Sequence, residues 1–303
     1  MEPWICYWNG RFVPENEIRI SPGDRGFVLG DAAYEVTRTY RHVPFHLDWH
    51  LDRLFATLRY LRLDPGLSRE RLEALTLDVL ERNRARLGPG DDVTLTHRIT
   101  RGPSGSPFGG PPSGPPTVLV SCRMVQFDAF ARLYDEGIEL QAPGVRLPAA
   151  GGVDPRVKTQ SRLLFALGDV EVKRPDRAVL PLFLDTNGCV TETAFTNVFF
   201  VAGGRLVVPP DDVALEGITR RVVIALAAAE GLDVVRRPVA LAEARACEEA
   251  FVTSTSPGVL PVCRLDGRTL APVPGPVTRR LIDAFSAHVG VDIAGQARAH
   301  ARR

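Results

Sequence analysis

Two amphipathic helical repeats stand almost back to back early in this chain, and strand-like sequence encloses both. Leu47, Leu51, Leu54, Leu58 and Leu61 recur at spacings of four and three, the period of one helix face. Asp48 is the expected N-cap of that helix. Residues 68–83 carry the second repeat, with Ser68 as cap and Glu70 and Glu73 in the early turns. Ahead of the pair, residues 4–13 read as a hairpin about Asn9-Gly10. Residues 33–40 alternate and are rich in Val, Thr and Tyr, and residues 43–46 pair back on them. Strands at 92–101 and 117–124 follow the helices. Strands grouped with strands, and helices set apart from them, predict an α+β fold and not a regular βαβ alternation.

The second half repeats this habit. A new strand begins at Ile138, and strands are expected at 178–184, 197–201, 205–208, 233–237, 250–253 and 259–262. Helices are expected at 161–173, at 219–230 between the Gly217-Ile218-Thr219 turn and Gly231, and at 277–288 after Pro276. A length of 303 residues suits two domains. The expected division is a smaller α+β domain at 1–124, a link at 125–136 and a larger domain at 137–303. The Gly/Pro/Ser segment 102–116 has no charged residue and reads as a surface connector or a lid over a site.

Composition closes several routes. A net charge of +1 implies no polyanionic partner such as nucleic acid. Five scattered cysteines with no CxxC pair predict neither a disulfide framework nor a thiolate metal site, and a reducing, cytoplasmic setting follows. No secretory pattern opens the chain and no apolar run reaches membrane length, so no membrane partner is expected.

The chemistry-bearing residues fall in a fixed order. Lys158 lies in the stretch GVDPRVKTQSRLLFA at 152–166. Glu192 follows in Gly188-Cys189-Val190-Thr191-Glu192-Thr193, and is read as lying in a turn. Leu215-Glu216-Gly217-Ile218-Thr219 opens a helix whose first amides lack intrahelical partners, which makes an anion site. Phe251-Val252-Thr253-Ser254-Thr255 comes last, and Arg53 sits earlier in His50-Leu51-Asp52-Arg53-Leu54. A lysine amine bonds an aldehyde only when partly unprotonated. A pyridine aldehyde acts as an electron sink when a carboxylate keeps its ring nitrogen protonated.

With Asp24-Arg25-Gly26-Phe27, Gly30-Asp31 and Tyr34-Glu35-Val36, these motifs resemble those of fold-type IV, pyridoxal-phosphate-dependent aminotransferases (aminotransferase class IV), from about Trp8 to Arg280. The resemblance implies a two-domain protomer with pyridoxal 5'-phosphate in the interdomain cleft, and a homodimer. It implies that Lys158 is the catalytic Schiff-base lysine, that Glu192 partners the ring nitrogen and that Leu215 packs on the ring. Arg53, Gly217, Ile218, Thr219, Ser254 and Thr255 would hold the phosphate. A small-molecule amino donor and a 2-oxo acid are the implied substrates.

On substrate, the chain is most similar to D-amino acid transaminases. Ile99-Thr100-Arg101-Gly102 matches them, Leu163 stands where branched-chain enzymes usually have tyrosine, and the branched-chain Tyr-x-Arg strand motif is absent. The arginine and histidine that D-amino acid enzymes carry after that strand are missing from 102–116. Arg98 and Arg25, the latter reaching from the partner subunit, helped by Tyr34, the amides around Thr255 and Ser256, are therefore the expected carboxylate clamp. Residues 153–158 resemble (R)-amine transaminases. The alternatives are a branched-chain L-amino acid aminotransferase and an enzyme of the aminodeoxychorismate lyase type.

Overall fold

The computed structural model describes residues 2–104, 112–148 and 152–301, and the chain divides into two compact units. Residues 105–111, within the expected connector or lid, lie outside the described residues. Unit 1 holds residues 1–125 together with 157–162. Its strands are β1 (Ile5–Trp8), β2 (Arg11–Pro14), β3 (Ala32–Tyr40), β4 (Val43–Pro44), β5 (Val93–Thr100) and β6 (Thr117–Met124). They form one sheet in the order β2-β1-β6-β5-β3-β4, with every pairing antiparallel.

Helices α2 (Leu47–Tyr60) and α3 (Arg69–Asn83) contribute to the core of unit 1, and a short helix α1 (Arg25–Leu29) precedes β3. The leucine period does the packing. Leu51, Leu54 and Leu58 are buried with Leu72, Leu75 and Val79 and with Leu95, Ile99 and Val120 of the sheet. Each fully buried leucine contributes roughly 2 kcal/mol.

Ser68 caps α3 as expected, accepting from Arg71 N at 3.1 Å. Asp48 does not cap α2. His46 adopts a left-handed conformation (φ 49°, ψ 46°) on leaving β4, so the helix begins two residues earlier than an Asp48 cap would set it. Asp48 lies in the first turn, where a negative charge still complements the helix dipole.

Unit 2 holds residues 126–156 and 163–303. Its strands are β7 (Ile138–Gln141), β8 (Val179–Leu184), β9 (Val190–Thr193), β10 (Asn197–Ala202), β11 (Arg205–Val208), β12 (Val234–Arg236), β13 (Glu249–Ser254), β14 (Gly258–Leu265) and β15 (Arg268–Thr269). The sheet runs β12-β11-β10-β13-β14-β7-β8-β9, with β15 paired to β14. Its helices are α4 (Leu133–Glu136), α5 (Leu163–Val172), α6 (Ile218–Ala229), α7 (Leu241–Ala246), α8 (Pro276–Val289) and α9 (Ile293–Ala301). Among the described residues no helix is long and apolar enough to cross a membrane.

Two boundaries differ from the sequence reading. Residues 125–136 are not an open link: Phe127, Phe130, Leu133 and Tyr134 are buried, and the Tyr134 hydroxyl donates to Pro257 O. The apolar spacing in that stretch belongs to two helical turns of unit 2. The Lys158 segment, read as part of the larger domain, packs with unit 1, because its backbone bonds to β3.

Candidate active site

In unit 1 the site is built on the edge of β3. Strand β4 pairs only with Thr39 and Tyr40, which leaves the first half of β3 with a free side. Residues 158–160 fill it: Tyr34 N donates to Lys158 O at 3.1 Å and Gln160 N to Ala32 O at 2.8 Å. Lys158 N in turn donates to Thr57 Oγ1 on α2 at 3.1 Å. Gly30, at φ +69°, ends α1 here; a Cβ on it would press within 3.0 Å of Ser161 Cα. The lysine backbone is thus held by a strand edge and a helix. Its Nζ lies over the Tyr34 ring, 4.6 Å from the centroid.

The same stripe of α2 carries His50, Arg53 and Thr57, at spacings of three and four. Glu35 faces it from β3, fully buried. Arg53 Nε donates to Glu35 Oε2 at 2.9 Å and an Arg53 terminal nitrogen to Oε1 at 2.8 Å, a forked pairing. Oε1 also accepts from Val36 N at 2.9 Å and contacts His50 Nδ1 at 3.0 Å. Burial works to raise the Glu35 carboxyl, but the Arg53 charge and His50 hold it well below the ordinary value. Burial, with the nearby Arg53 and Lys158 charges, lowers His50 against the raising effect of Glu35. A neutral His50 must then donate its Nδ1–H, because an ionised carboxylate only accepts.

His97 stands directly across the strands from Glu35. Thr76 Oγ1 donates to Leu72 O, so His97 Nε2–H donates to Thr76 Oγ1, at 2.8 Å. His97 Nδ1 finds no hydrogen-bond partner among the described residues.

On the opposite face of the sheet, Arg98 pairs in register with Tyr34 on one side and Leu119 on the other, and its side chain is exposed. Arg25 is placed differently. Its Nε donates to Asp31 Oδ2 at 2.9 Å, and Arg101 grips the same carboxylate from 2.8 Å. Within its own chain Arg25 thus serves to fasten α1.

Unit 2 carries the remaining predicted residues, and Asn197 joins Glu192, Leu215 and Gly217 among them. Glu192 lies in strand β9, not in a turn, and is buried. That strand is hard to read because a turn at 185–188 and a Thr193–Thr196 turn squeeze it to four residues. Asn197 Nδ2 donates to Leu215 O at 2.8 Å and to Glu192 Oε2 at 3.4 Å, and Leu215 N donates to the same Oε2 at 3.3 Å. Gly217 is the N-cap of α6 and supplies no side-chain cap; a Cβ there would overlap Asn197 Oδ1. Ile218 and Thr219 are the buried first residues of α6. Ser254 ends β13, with Thr255 and Ser256 in the turn after it. Register sets Thr253 opposite Asn197, and its buried hydroxyl has no hydrogen-bond partner among the described residues.

The sequence reading missed the supporting residues Glu35, His50, Thr57, Asn197 and Thr253. For Glu35 a signal existed: Ala33, Glu35 and Thr37 share a strand phase, so a glutamate stood among core positions and required a cation. For Asn197 no local pattern marks the role, which depends on Leu215 and Glu192 coming together in space.

Comparison with known proteins identifies the family. The model for "Amino-transferase class IV" matches residues 32–265. A Methanocaldococcus jannaschii protein, provisionally named a branched-chain-amino-acid aminotransferase, is 32% identical over 92% of this chain and 94% of its own length. The D-alanine aminotransferase of Bacillus licheniformis is 28% identical over 92% of this chain and 94% of its own. The branched-chain amino acid aminotransferase from Escherichia coli superposes with a TM-score of 0.82 at 25% identity, covering 94% of this chain and 93% of that one. The chain belongs to the class IV aminotransferases, the pyridoxal-phosphate-dependent enzymes of this fold.

Proposed function

We propose that this enzyme moves an amino group between a D-amino acid and a 2-oxo acid, 2-oxoglutarate or pyruvate, and also accepts (R)-primary amines. The observation that carries the reading is the cross-strand pair of Tyr34 and Arg98, with the Lys158 amine above the tyrosine ring. An arginine next to the reacting lysine is the group that holds a substrate carboxylate, by forked hydrogen bonds. Bound pyridoxal phosphate supplies an aldehyde for the lysine and an electron sink. Lys158 Nζ would hold the group through that aldehyde and would move the proton at the substrate α-carbon.

The chain's own residues suit such a group. Glu192 is a buried carboxylate whose Oε2 accepts from the Leu215 backbone amide and the Asn197 side-chain amide, and a carboxylate is the group that would keep a pyridine ring nitrogen protonated. Leu215 would pack against the ring. The N-terminus of α6, 12 residues long and without a side-chain cap, offers the Gly217, Ile218 and Thr219 amides to a phosphate. Thr255, Ser254 and Arg53 complete the set, and the orphaned Thr253 hydroxyl lies beside Asn197. The carboxylate clamp falls to Arg98, aided by Tyr34 and Ser256, with Arg25, anchored through its Nε by Asp31, offered from the partner subunit. The working unit is a cytoplasmic homodimer.

The D side is supported by Ile99-Thr100-Arg101-Gly102 and by Leu163. A second reading, an L-branched-chain aminotransferase, is favoured by the names of the M. jannaschii and E. coli proteins. A panel of D-alanine, D-glutamate, L-leucine, L-valine and (R)-phenylethylamine with 2-oxoglutarate decides between them. Turnover of D-alanine over L-leucine is the expected result, and the reverse preference overturns the D assignment.

A further inference from the structure

Arg53 is the one cation proposed above for the phosphate whose guanidinium is already fixed inside unit 1. The group that fixes it is Glu35. An arginine on an open helix face samples many rotamers, and binding an anion would have to freeze them. Here Nε and one terminal nitrogen are both bonded to the Glu35 carboxylate, at 2.9 and 2.8 Å. The carboxylate itself cannot turn, because Val36 N and His50 Nδ1 hold Oε1 from two further directions. His50 and Arg53 stand three apart on α2, so one carboxylate on β3 locks two successive positions of the helix. The next position along that stripe, Thr57, holds the Lys158 backbone. Burying a carboxylate fully is costly unless its partners are well placed, and such a buried pair as a whole adds little net stability over apolar packing. The charge at 35 therefore has a use beyond stability.

We propose that Glu35 is a positioning residue: it holds Arg53 in one orientation toward the cofactor's phosphate, and His50 buttresses it. The inference rests on the reading of Arg53 as a phosphate-binding residue. Glu35 touches neither cofactor nor substrate in this scheme. It acts through the fork it makes with Arg53.

The test compares two ligands that differ only in the phosphate. Affinities for pyridoxal 5'-phosphate and for pyridoxal are measured by fluorescence titration on the full-length wild type and on Glu35→Gln, Glu35→Asp and Arg53→Ala. Thermal melting is recorded alongside. Glu35→Gln keeps the shape and loses the charge; Glu35→Asp keeps the charge and shortens the reach, and decides the matter if the glutamine variant does not fold. Losing a charge-assisted hydrogen bond predicts about tenfold weaker binding of the phosphorylated ligand in the folded Glu35 variants, with pyridoxal within about twofold of wild type. The phosphorus resonance of the bound phosphate should shift in the same variants. Equal losses for both ligands, or no loss for either, overturn the positioning role and leave Glu35 a packing residue. If Arg53→Ala discriminates between the two ligands as wild type does, the phosphate reading of Arg53 itself fails, and the inference falls with it.

Discussion

In the proposed function Lys158 and Glu192 carry the chemistry, and their variants should fail differently. Lys158→Ala should abolish turnover while some cofactor stays bound, and borohydride should link cofactor to the peptide containing Lys158 in the wild type alone. Glu192→Gln should lower kcat and kcat/KM together, as expected of an interaction that matters in the transition state; near-normal turnover would place the electron-sink partner elsewhere. Arg98→Ala should weaken D-amino acid turnover and change (R)-phenylethylamine turnover little, because only the amino acid has a carboxylate to lose; equal losses on both would assign the clamp to other groups. His97 makes a stability prediction. Burial drives it from 6.5 down to about 4, so it is neutral in the folded protein while the unfolded chain takes up a proton below 6.5. Stability is therefore complete above 6.5 and falls as pH drops toward 4, by about 3 kcal/mol at most. Urea midpoints measured across that window should flatten in His97→Phe, and an unchanged slope would remove His97 as the cause. Glu35 acts lower still: its depressed carboxyl stabilises the fold above the ordinary glutamate value, and that contribution is lost as pH falls below it.

At the scale of elements, the candidate residues of each unit sit where a helix or the loop before it is held to a strand by side chains that do no chemistry in the proposed function. In unit 1, α2 meets β3 through Arg53, His50 and Glu35. In unit 2, the loop before α6 meets β9 and β10 through Asn197, which reaches both Leu215 O and Glu192. Gly217 lies flush against that asparagine. Gly217→Ala should therefore displace Asn197, costing about 1–3 kcal/mol of stability through overpacking, and should weaken cofactor binding more than a distant glycine change of equal cost. Melting temperature and cofactor affinity measured together test this; a stable variant with full affinity would show that the turn has room to move.

For the whole molecule, the proposed homodimer predicts a solution mass about twice the 33.1 kDa of one chain. Light scattering after size-exclusion chromatography checks it, and a monomer that turns over would refute the dimer as the working unit.

The sequence alone determined the α+β class, most strand and helix positions, and the ordered motifs that carry Lys158, Glu192 and Thr219. Those are local facts: a leucine period of four and three, a serine cap at 68, a glycine before a helix. It misplaced Glu192 in a turn because β9 is too short to show an alternation, and it put the cap of α2 at Asp48 because a left-handed His46 leaves no propensity signal. Only the tertiary structure decided that residues 158–160 complete the edge of β3, that Arg25 is engaged by Asp31, and that Glu35 locks Arg53. Each of these is a contact between residues far apart in the chain. It is set by where a strand edge lies open or a buried charge needs a partner, and no stretch of sequence carries that information by itself.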